Sequence, residues 1–148
     1  MKTTFTPSHR IQPTGELRAI DVMHPGMISC PGDAPLRTVA RMMASYRVHA
    51  IIVHAEEDEE LAGGDSWGVV SDTDLVRAAL NGGFDETTAR QIAATPAVTV
   101  TTVDPLTRAM QLMTEHEVTH VIVVERHSGR PIGVLSTLDC ARALAGLT

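Results

Sequence analysis

Apolar positions along this chain follow two patterns, and the pair of patterns occurs twice. Between Leu36 and Met43 they recur at spacings of three and four residues, which predicts an amphipathic helix. An unbroken run of apolar and β-branched residues at 48–53 then predicts a buried strand. The same helical spacing returns between Leu106 and Met113, and the same strand-like run returns at 118–124. The chain therefore contains an internal repeat.

A fixed shift in numbering superimposes the two copies. Shifting by 70 positions pairs Pro35 with Pro105 and Met43 with Met113. After Val53 the first copy carries five extra residues, and the shift becomes 65. That shift superimposes the string Gly-Val-x-Ser-x-x-Asp-x-x-Arg-Ala at 68–78 on the same string at 133–143. One gap restores the register, which indicates a duplication.

Each copy is predicted to fold in the order β-α-β-β-α. The first strands are expected at 28–30 and 98–101, and the third strands at 67–70 and 132–135. Pro35 and Pro105 are expected at the first position of the first helices, where the missing proline N–H costs nothing. Asp104 is a plausible N-cap for the second copy, and Ala34 is a poorer one. The last helices are expected to begin near Ser71 and Ser136.

The repeat divides the chain into segments of an α+β protein. We expect an N-terminal arm at 1–15, a first unit at 16–83, a linker at 84–87 and a second unit at 88–148. A unit of about 60 residues has a small core and exposed apolar faces. We therefore expect the two units to pack together as a pseudo-twofold pair, with binding clefts along their seam.

Composition excludes several classes of function. The formal net charge of −6 argues against a basic surface for nucleic acid, and four aromatic residues are too few for base stacking. No apolar run approaches the length of a membrane span, and the polar N-terminus lacks a signal-peptide core, so we expect a cytoplasmic protein. The histidines lack metal-ligand spacing, and two cysteines imply no disulfide scaffold.

The repeated string carries the candidate chemistry, because it lies where a strand meets a helix N-terminus. Unpaired N–H groups and the helix dipole favour an anion there. A Ser hydroxyl can bind a phosphate or ribose oxygen, and an Asp one turn later can accept from both ribose hydroxyls. The alternative is a capping box, in which Ser and Asp satisfy only the helix N–H groups. Arg77 and Arg142 either pair with the Asp residues or lie in solvent.

The duplicated unit with its Gly-h-x-Ser-x-x-Asp ends (h, an apolar residue) resembles tandem CBS domains, the Bateman module, over about residues 16–147. The resemblance implies two units packed through their sheets around two clefts. It also implies adenosine-containing ligands such as AMP, ADP, ATP or S-adenosylmethionine. In that family the Asp holds the ribose, the Ser or Thr assists with phosphate, and strands of the other unit contact the adenine.

Carried over by position, the resemblance implies two sets of ligand-binding residues. One set is Ser71, Asp74, Val98, Thr99, Val100, Thr119 and His120. The other set is Ser136, Asp139, Ile28, Ser29, Cys30, His49 and Ala50. For the apolar members, ordinary strand packing is an equally good interpretation.

Two departures from the family pattern bear on the ligand. Many nucleotide-binding members carry Arg or Lys between the Ser and the Asp, whereas this chain has Asp72-Thr73 and Thr137-Leu138. Asp72 would repel a phosphate, which favours a mononucleotide, or a ligand with a neutral or cationic tail, at the first motif. Ala50 and His120 stand where many members have Pro, so the wall of each site is expected to differ from the family pattern.

The sequence is compatible with three functions. The leading hypothesis is a stand-alone regulatory module, a homodimer that acts on a protein partner and needs no resident cofactor or metal. The second is a ligand-free dimerising module whose motifs are only helix caps. An enzyme is the least favoured, because no catalytic triad, metal cluster or P-loop is present and the two units use nearly the whole chain.

Overall fold

The computed structural model describes residues 17–55, 67–94 and 97–147. The predicted N-terminal arm at 1–15 lies outside them. Contacts within the chain define two compact units. Residues 27–97 form one, called here the continuous unit, and residues up to Gly26 join those from Val98 onward to form the other, called the split unit.

The continuous unit contains a three-stranded sheet and three helices. Its elements are β2 (Ser29–Pro31), α2 (Leu36–Tyr46), β3 (Ala50–His54), β4 (Trp67–Ser71), α3 (Asp72–Asn81) and α4 (Ala89–Ile92), with a 3₁₀ turn at Phe84–Glu86. The strand order is β2-β3-β4, with β2 parallel and β4 antiparallel to β3. Leu36 and Val39 of α2 pack with Ile51 and Val53 of β3 in its core.

The split unit repeats this arrangement and adds an edge strand. Its elements are α1 (Ala19–Val22), β1 (His24–Pro25), β5 (Thr99–Thr101), α5 (Leu106–Glu115), β6 (His120–Val124), β7 (Pro131–Ser136) and α6 (Thr137–Leu144). The strand order is β1-β7-β6-β5. Leu106 and Ala109 pack with Val121 and Val123 in a second core. The predicted α+β class and the β-α-β-β-α order of both units are confirmed.

The first helix of each repeat begins one residue later than predicted. Pro35 and Pro105 are the N-cap residues, with extended backbone, and neither makes a side-chain cap. The first helical N–H groups find backbone partners instead: Leu36 N–H donates to the Thr87 carbonyl and Leu106 N–H to the Leu17 carbonyl. The prediction that Asp104 caps the helix was wrong. Its carboxylate accepts from Thr101 N–H, at 2.8 Å, and closes the turn before the helix.

The segment before each repeat's first strand packs with elements of the other repeat. Helix α1 contacts α5 and α6 of the split unit, and α4 contacts β2 and β4 of the continuous unit. The predicted linker at 84–87 is largely the 3₁₀ turn, which contacts α2 and α3. The compact units therefore follow different boundaries from the sequence repeat. No helix in the part of the chain that the structure describes is long and apolar enough to cross a membrane.

Candidate functional site

The junction between β4 and α3 is built as a capping box. Ser71 is the N-cap, and its Oγ accepts from Asp74 N–H at 3.1 Å. In return, Asp74 Oδ2 accepts from Ser71 N–H at 2.8 Å. Two N–H groups that a helix N-terminus leaves unpaired are satisfied in this way. Ser71 and Asp74 therefore form a helix cap, whatever else they bind.

The junction between β7 and α6 has the same construction. Ser136 N–H donates to Asp139 Oδ2 at 2.8 Å, and Asp139 N–H donates to Ser136 Oγ at 3.2 Å. The Ser136 hydroxyl also donates to Asp139 Oδ2, at 2.9 Å. Capping therefore uses Oδ2 of the Asp in each motif. The Oδ1 atom takes no part in the cap and can contact other groups.

The surroundings of the two second oxygens differ. Asp74 Oδ1 lies 3.5 Å from a guanidinium nitrogen of Arg77, and the Asp74 side chain is 25% exposed. Asp139 Oδ1 lies 2.7 Å from His24 Nε2, and the Asp139 side chain is 5% exposed. The predicted i, i+3 pairing is therefore observed between Asp74 and Arg77. In the second motif Asp139 pairs with His24 instead, and Arg142 is exposed.

The start of each second strand lies beside its own unit's motif. Ala50 is opposite Ser71 in the β3–β4 register, and His120 is opposite Ser136 in the β6–β7 register. Asp72 N–H donates to the His49 carbonyl, and Thr137 N–H donates to the Thr119 carbonyl. The resemblance assigned these four strand residues to the motif of the other unit. That assignment stays a prediction.

The first-strand residues mix core packing with exposure. Cys30 and Val100 are buried members of the two cores, which is the strand-packing interpretation of those positions. Ser29 is exposed and Thr99 half-buried, and they pair with Ile52 and Ile122 in equivalent registers. The carbonyls of the half-buried residues Ile28 and Val98 accept from the N–H groups of the same two isoleucines.

A hydrogen-bonded histidine–carboxylate pair distinguishes the start of α3. His49 Nδ1 lies 2.8 Å from Asp72 Oδ2, and Asp72 Oδ1 accepts from Thr73 N–H at 2.8 Å. The equivalent position at the start of α6 is Thr137. The first motif therefore carries a carboxylate where an incoming phosphate would meet the helix N-terminus, and the second motif carries a hydroxyl.

Comparison with known families and structures decides the family. The CBS domain model matches residues 19–81 and 89–146. The chain belongs to the CBS domain family. An AMP-complexed CBS domain protein from Pyrobaculum aerophilum is 31% identical and has a TM-score of 0.73, with 88% of this chain and 98% of that chain covered.

Other solved CBS-like structures show the fold at lower identity. An uncharacterized conserved protein from Pyrococcus horikoshii is 18% identical, with a TM-score of 0.74 over 87% of this chain and 92% of that one. A hexameric CBS-CP12 protein from bloom-forming cyanobacteria is 20% identical, with a TM-score of 0.72 over 84% and 69%. The search of curated proteins returned no match.

His24 is the site residue that sequence reasoning missed in this CBS pair. The shift of 70 positions that relates the repeats aligns His24 with Ala94. A polar residue in one repeat aligned with an apolar residue in the other was the signal in the sequence that could have identified His24. Its partner Asp139 is 115 residues away along the chain, too far for any local pattern to connect them.

Among residues 17–55, 67–94 and 97–147, no three His, Cys, Asp or Glu side chains are grouped to hold a metal ion.

Cys30 and Cys140 are buried free thiols. Burial, with a smaller contribution from Asp33, raises the pKa of Cys30 to about 11. Burial and then Asp139 raise the pKa of Cys140. Both residues are protonated thiols at neutral pH.

Proposed function

We propose that this CBS pair is a regulatory module that binds adenosine-containing ligands at its Ser-x-x-Asp motifs. One observation carries the proposal: capping uses Asp74 Oδ2 and leaves Asp74 Oδ1 only loosely engaged by Arg77. A carboxylate accepts about four hydrogen bonds, so a capped Asp74 can still accept from ribose hydroxyls. Capping and ligand binding are therefore compatible at this motif.

The AMP-complexed relative supports an adenine nucleotide as the ligand class. The motif offers a carboxylate for the ribose and a helix N-terminus for a phosphate. Asp72 opposes additional negative charge at the same helix end, which favours AMP over ADP and ATP there. S-adenosylmethionine, with its cationic sulfonium, remains in the ligand class for the same electrostatic reason.

A ligand panel tests the proposal directly. Thermal melting is measured with AMP, ADP, ATP, NAD and S-adenosylmethionine, each over a wide concentration range. A ligand present at a hundred times its Kd adds about 2.7 kcal/mol to the free energy of unfolding. The binding ligand should lose the contribution of the first motif in Asp74→Asn, which keeps the side-chain shape. A panel that leaves the melting temperature unchanged throughout contradicts the proposal.

We propose a regulatory role for the module, exerted through ligand binding. We infer a non-catalytic, cytoplasmic protein. A ligand that binds one arrangement of the module more tightly shifts its population. The effect would be passed to a protein partner or to a second copy of the chain.

Self-association is the second candidate function, with or without a ligand. Exposed apolar side chains on α3 and α6 favour it: Val76, Leu80, Leu138 and Leu144 are all more than half exposed. The hexameric CBS-CP12 relative shows that a protein of this fold self-associates. We propose a homodimer. Sedimentation of the wild type and of Leu80→Glu tests it, since a charge on a buried dimer face should favour the monomer.

A further inference from the structure

The two motifs differ in whether another side chain already holds the ribose-binding carboxylate. Strand β1 adds two residues to the split unit's sheet, with His24 opposite Val134 and Pro25 opposite Gly133. That register places His24 Nε2 2.7 Å from Asp139 Oδ1. Gly133 permits the close approach, because a Cβ there would lie 2.9 Å from the His24 carbonyl oxygen.

Both oxygens of Asp139 are engaged as a result. Oδ2 accepts from the Ser136 N–H and hydroxyl groups, and Oδ1 accepts from the imidazole N–H. With three bonds accepted, Asp139 has about one acceptor site left and is only 5% exposed, so a ribose that binds through both of its hydroxyls needs the position of the imidazole. Because the imidazole is covalently part of the same unit, its effective concentration at Asp139 is high and a free ligand competes poorly.

The continuous unit has the same strand position but not the same side chain. Ala94 is opposite Val69, as His24 is opposite Val134, and Val69 and Val134 are equivalent in the repeat. A methyl group cannot donate a hydrogen bond to Asp74. Correspondingly, the Asp74 side chain is 25% exposed and the Asp139 side chain 5%.

We propose that His24 determines which motif takes a ribose: it closes Asp139 to ribose hydroxyls, so that AMP is held at Asp74, and Asp139 binds only when His24 is displaced. This inference rests on the proposed function of the motifs. It makes the duplicated module asymmetric: the motif with Asp74 can bind AMP directly, and the motif with Asp139 can bind only after His24 moves away.

Isothermal titration with AMP tests the assignment through stoichiometry. The wild type should bind one equivalent, and Asp74→Asn should abolish that binding. His24→Ala gives the split unit the residue that the continuous unit carries, and it should raise the stoichiometry to two. The added equivalent should be lost in the double variant His24→Ala/Asp139→Asn. The His24 side chain is 67% exposed, so its loss should leave the fold intact, and a melting curve verifies this.

The reciprocal variant provides a matched control. Ala94→His places an imidazole at the equivalent register beside β4 and should weaken AMP binding at Asp74 by about tenfold or more. A stoichiometry that stays at one in His24→Ala, or an affinity that Ala94→His leaves unchanged, overturns the inference while the proposed function stands. Absence of AMP binding in every variant overturns both.

Discussion

His49 and Asp72 form a hydrogen-bonded pair at the start of α3, with 2.8 Å between the imidazole Nδ1 and the carboxylate Oδ2. The contact is exposed, since His49 is 78% and Asp72 50% accessible. It lies next to Ser71, because Asp72 is the first helical residue and also donates its N–H to the His49 carbonyl. The Asp72 carboxylate therefore lies at the helix N-terminus, where its negative charge acts on any ligand that binds there.

Replacing Asp72 by Asn should strengthen nucleotide binding. Removing one negative charge within a few ångströms of a phosphate in water is worth about 1 kcal/mol, or roughly fivefold in Kd. The gain should increase from AMP to ADP to ATP as the ligand charge rises. Titration calorimetry at low salt measures it, and added salt should reduce it. Glu115→Gln makes the same change in net charge on α5 and should leave Kd unchanged.

Asp139→Ala should destabilise the protein more than Asp74→Ala. Asp139 is 5% exposed and carries the His24 contact in addition to its cap, whereas Asp74 is 25% exposed. Loss of a cap costs about 1 kcal/mol, and loss of a buried hydrogen-bonded carboxylate costs about 2–3 kcal/mol in total. Urea unfolding of both variants measures the difference. Equal losses would contradict the structural asymmetry of the two motifs.

A double-mutant cycle isolates the contact between His24 and Asp139. The two single variants to Ala and the double variant should give a coupling energy of about 1 kcal/mol. No ligand is needed, so the cycle tests the contact apart from any binding. The same cycle on the exposed ion pair between Arg37 and Asp85 serves as a comparison and should give less.

The turn at 126–129 should lose a stabilising contact in acid. The Ser128 side chain, followed by the backbone N–H groups of Ser128 and His127, lowers the pKa of Glu125 to about 2 from 4.5. Because the pKa of Glu125 is lower in the folded state, its ionised carboxylate stabilises the folded protein above pH 4.5. This contribution is lost as the pH falls towards 2. The difference in melting temperature between wild type and Glu125→Gln should shrink over that interval. A difference that does not change with pH would show that the Glu125 carboxylate makes no such contact.

Cys30 and Cys140 should react slowly in the native protein. Burial raises both pKa values, that of Cys30 to about 11, so little thiolate exists at pH 8. Ellman's reagent should label native protein slowly and give two thiols per chain in denaturant without reductant. A count of zero would instead reveal a disulfide.

Much of the fold could be predicted from local pattern. The helical spacing at 36–43 and the apolar run at 48–53 predicted α2 and β3 to within three residues at each end, because both elements bury one continuous apolar face. The capping boxes at Ser71 and Ser136 were also readable, since they depend on residues three apart.

The remaining features depend on contacts between distant segments. Asp104 resembles an N-cap in sequence, but Leu17 supplies the carbonyl that pairs with Leu106 N–H, and that pairing exists only in the folded unit. Strand β1 is two residues long and has no periodicity to detect. Only its pairing with β7 brings His24 to Asp139, so the difference between the Asp74 and Asp139 carboxylates was not predictable.

Gly133→Ala should destabilise the split unit and release His24. A Cβ at Gly133 would lie 2.6 Å from Met23 Sδ and 2.9 Å from the His24 carbonyl oxygen. The sulfur is on a flexible side chain, but the carbonyl is backbone, so β1 must move away from β7. We expect a loss of about 1–3 kcal/mol in urea unfolding. Met23→Ala in the same chain should recover only part of it.

Gly133→Ala also tests whether the pairing of β1 with β7 is needed to keep Asp139 closed, separately from the identity of the side chain at position 24. If β1 must lie against β7 for His24 to reach Asp139, Gly133→Ala should reproduce the second AMP equivalent expected of His24→Ala. Hydrogen exchange of Gly26 N–H, which donates to the Ile132 carbonyl at 3.3 Å, reports on the strand directly. Faster exchange at Gly26 together with a gained AMP site would show that β1 holds the second motif closed. Unchanged exchange would show that the strand tolerates the methyl group and that the Met23 side chain alone adjusts.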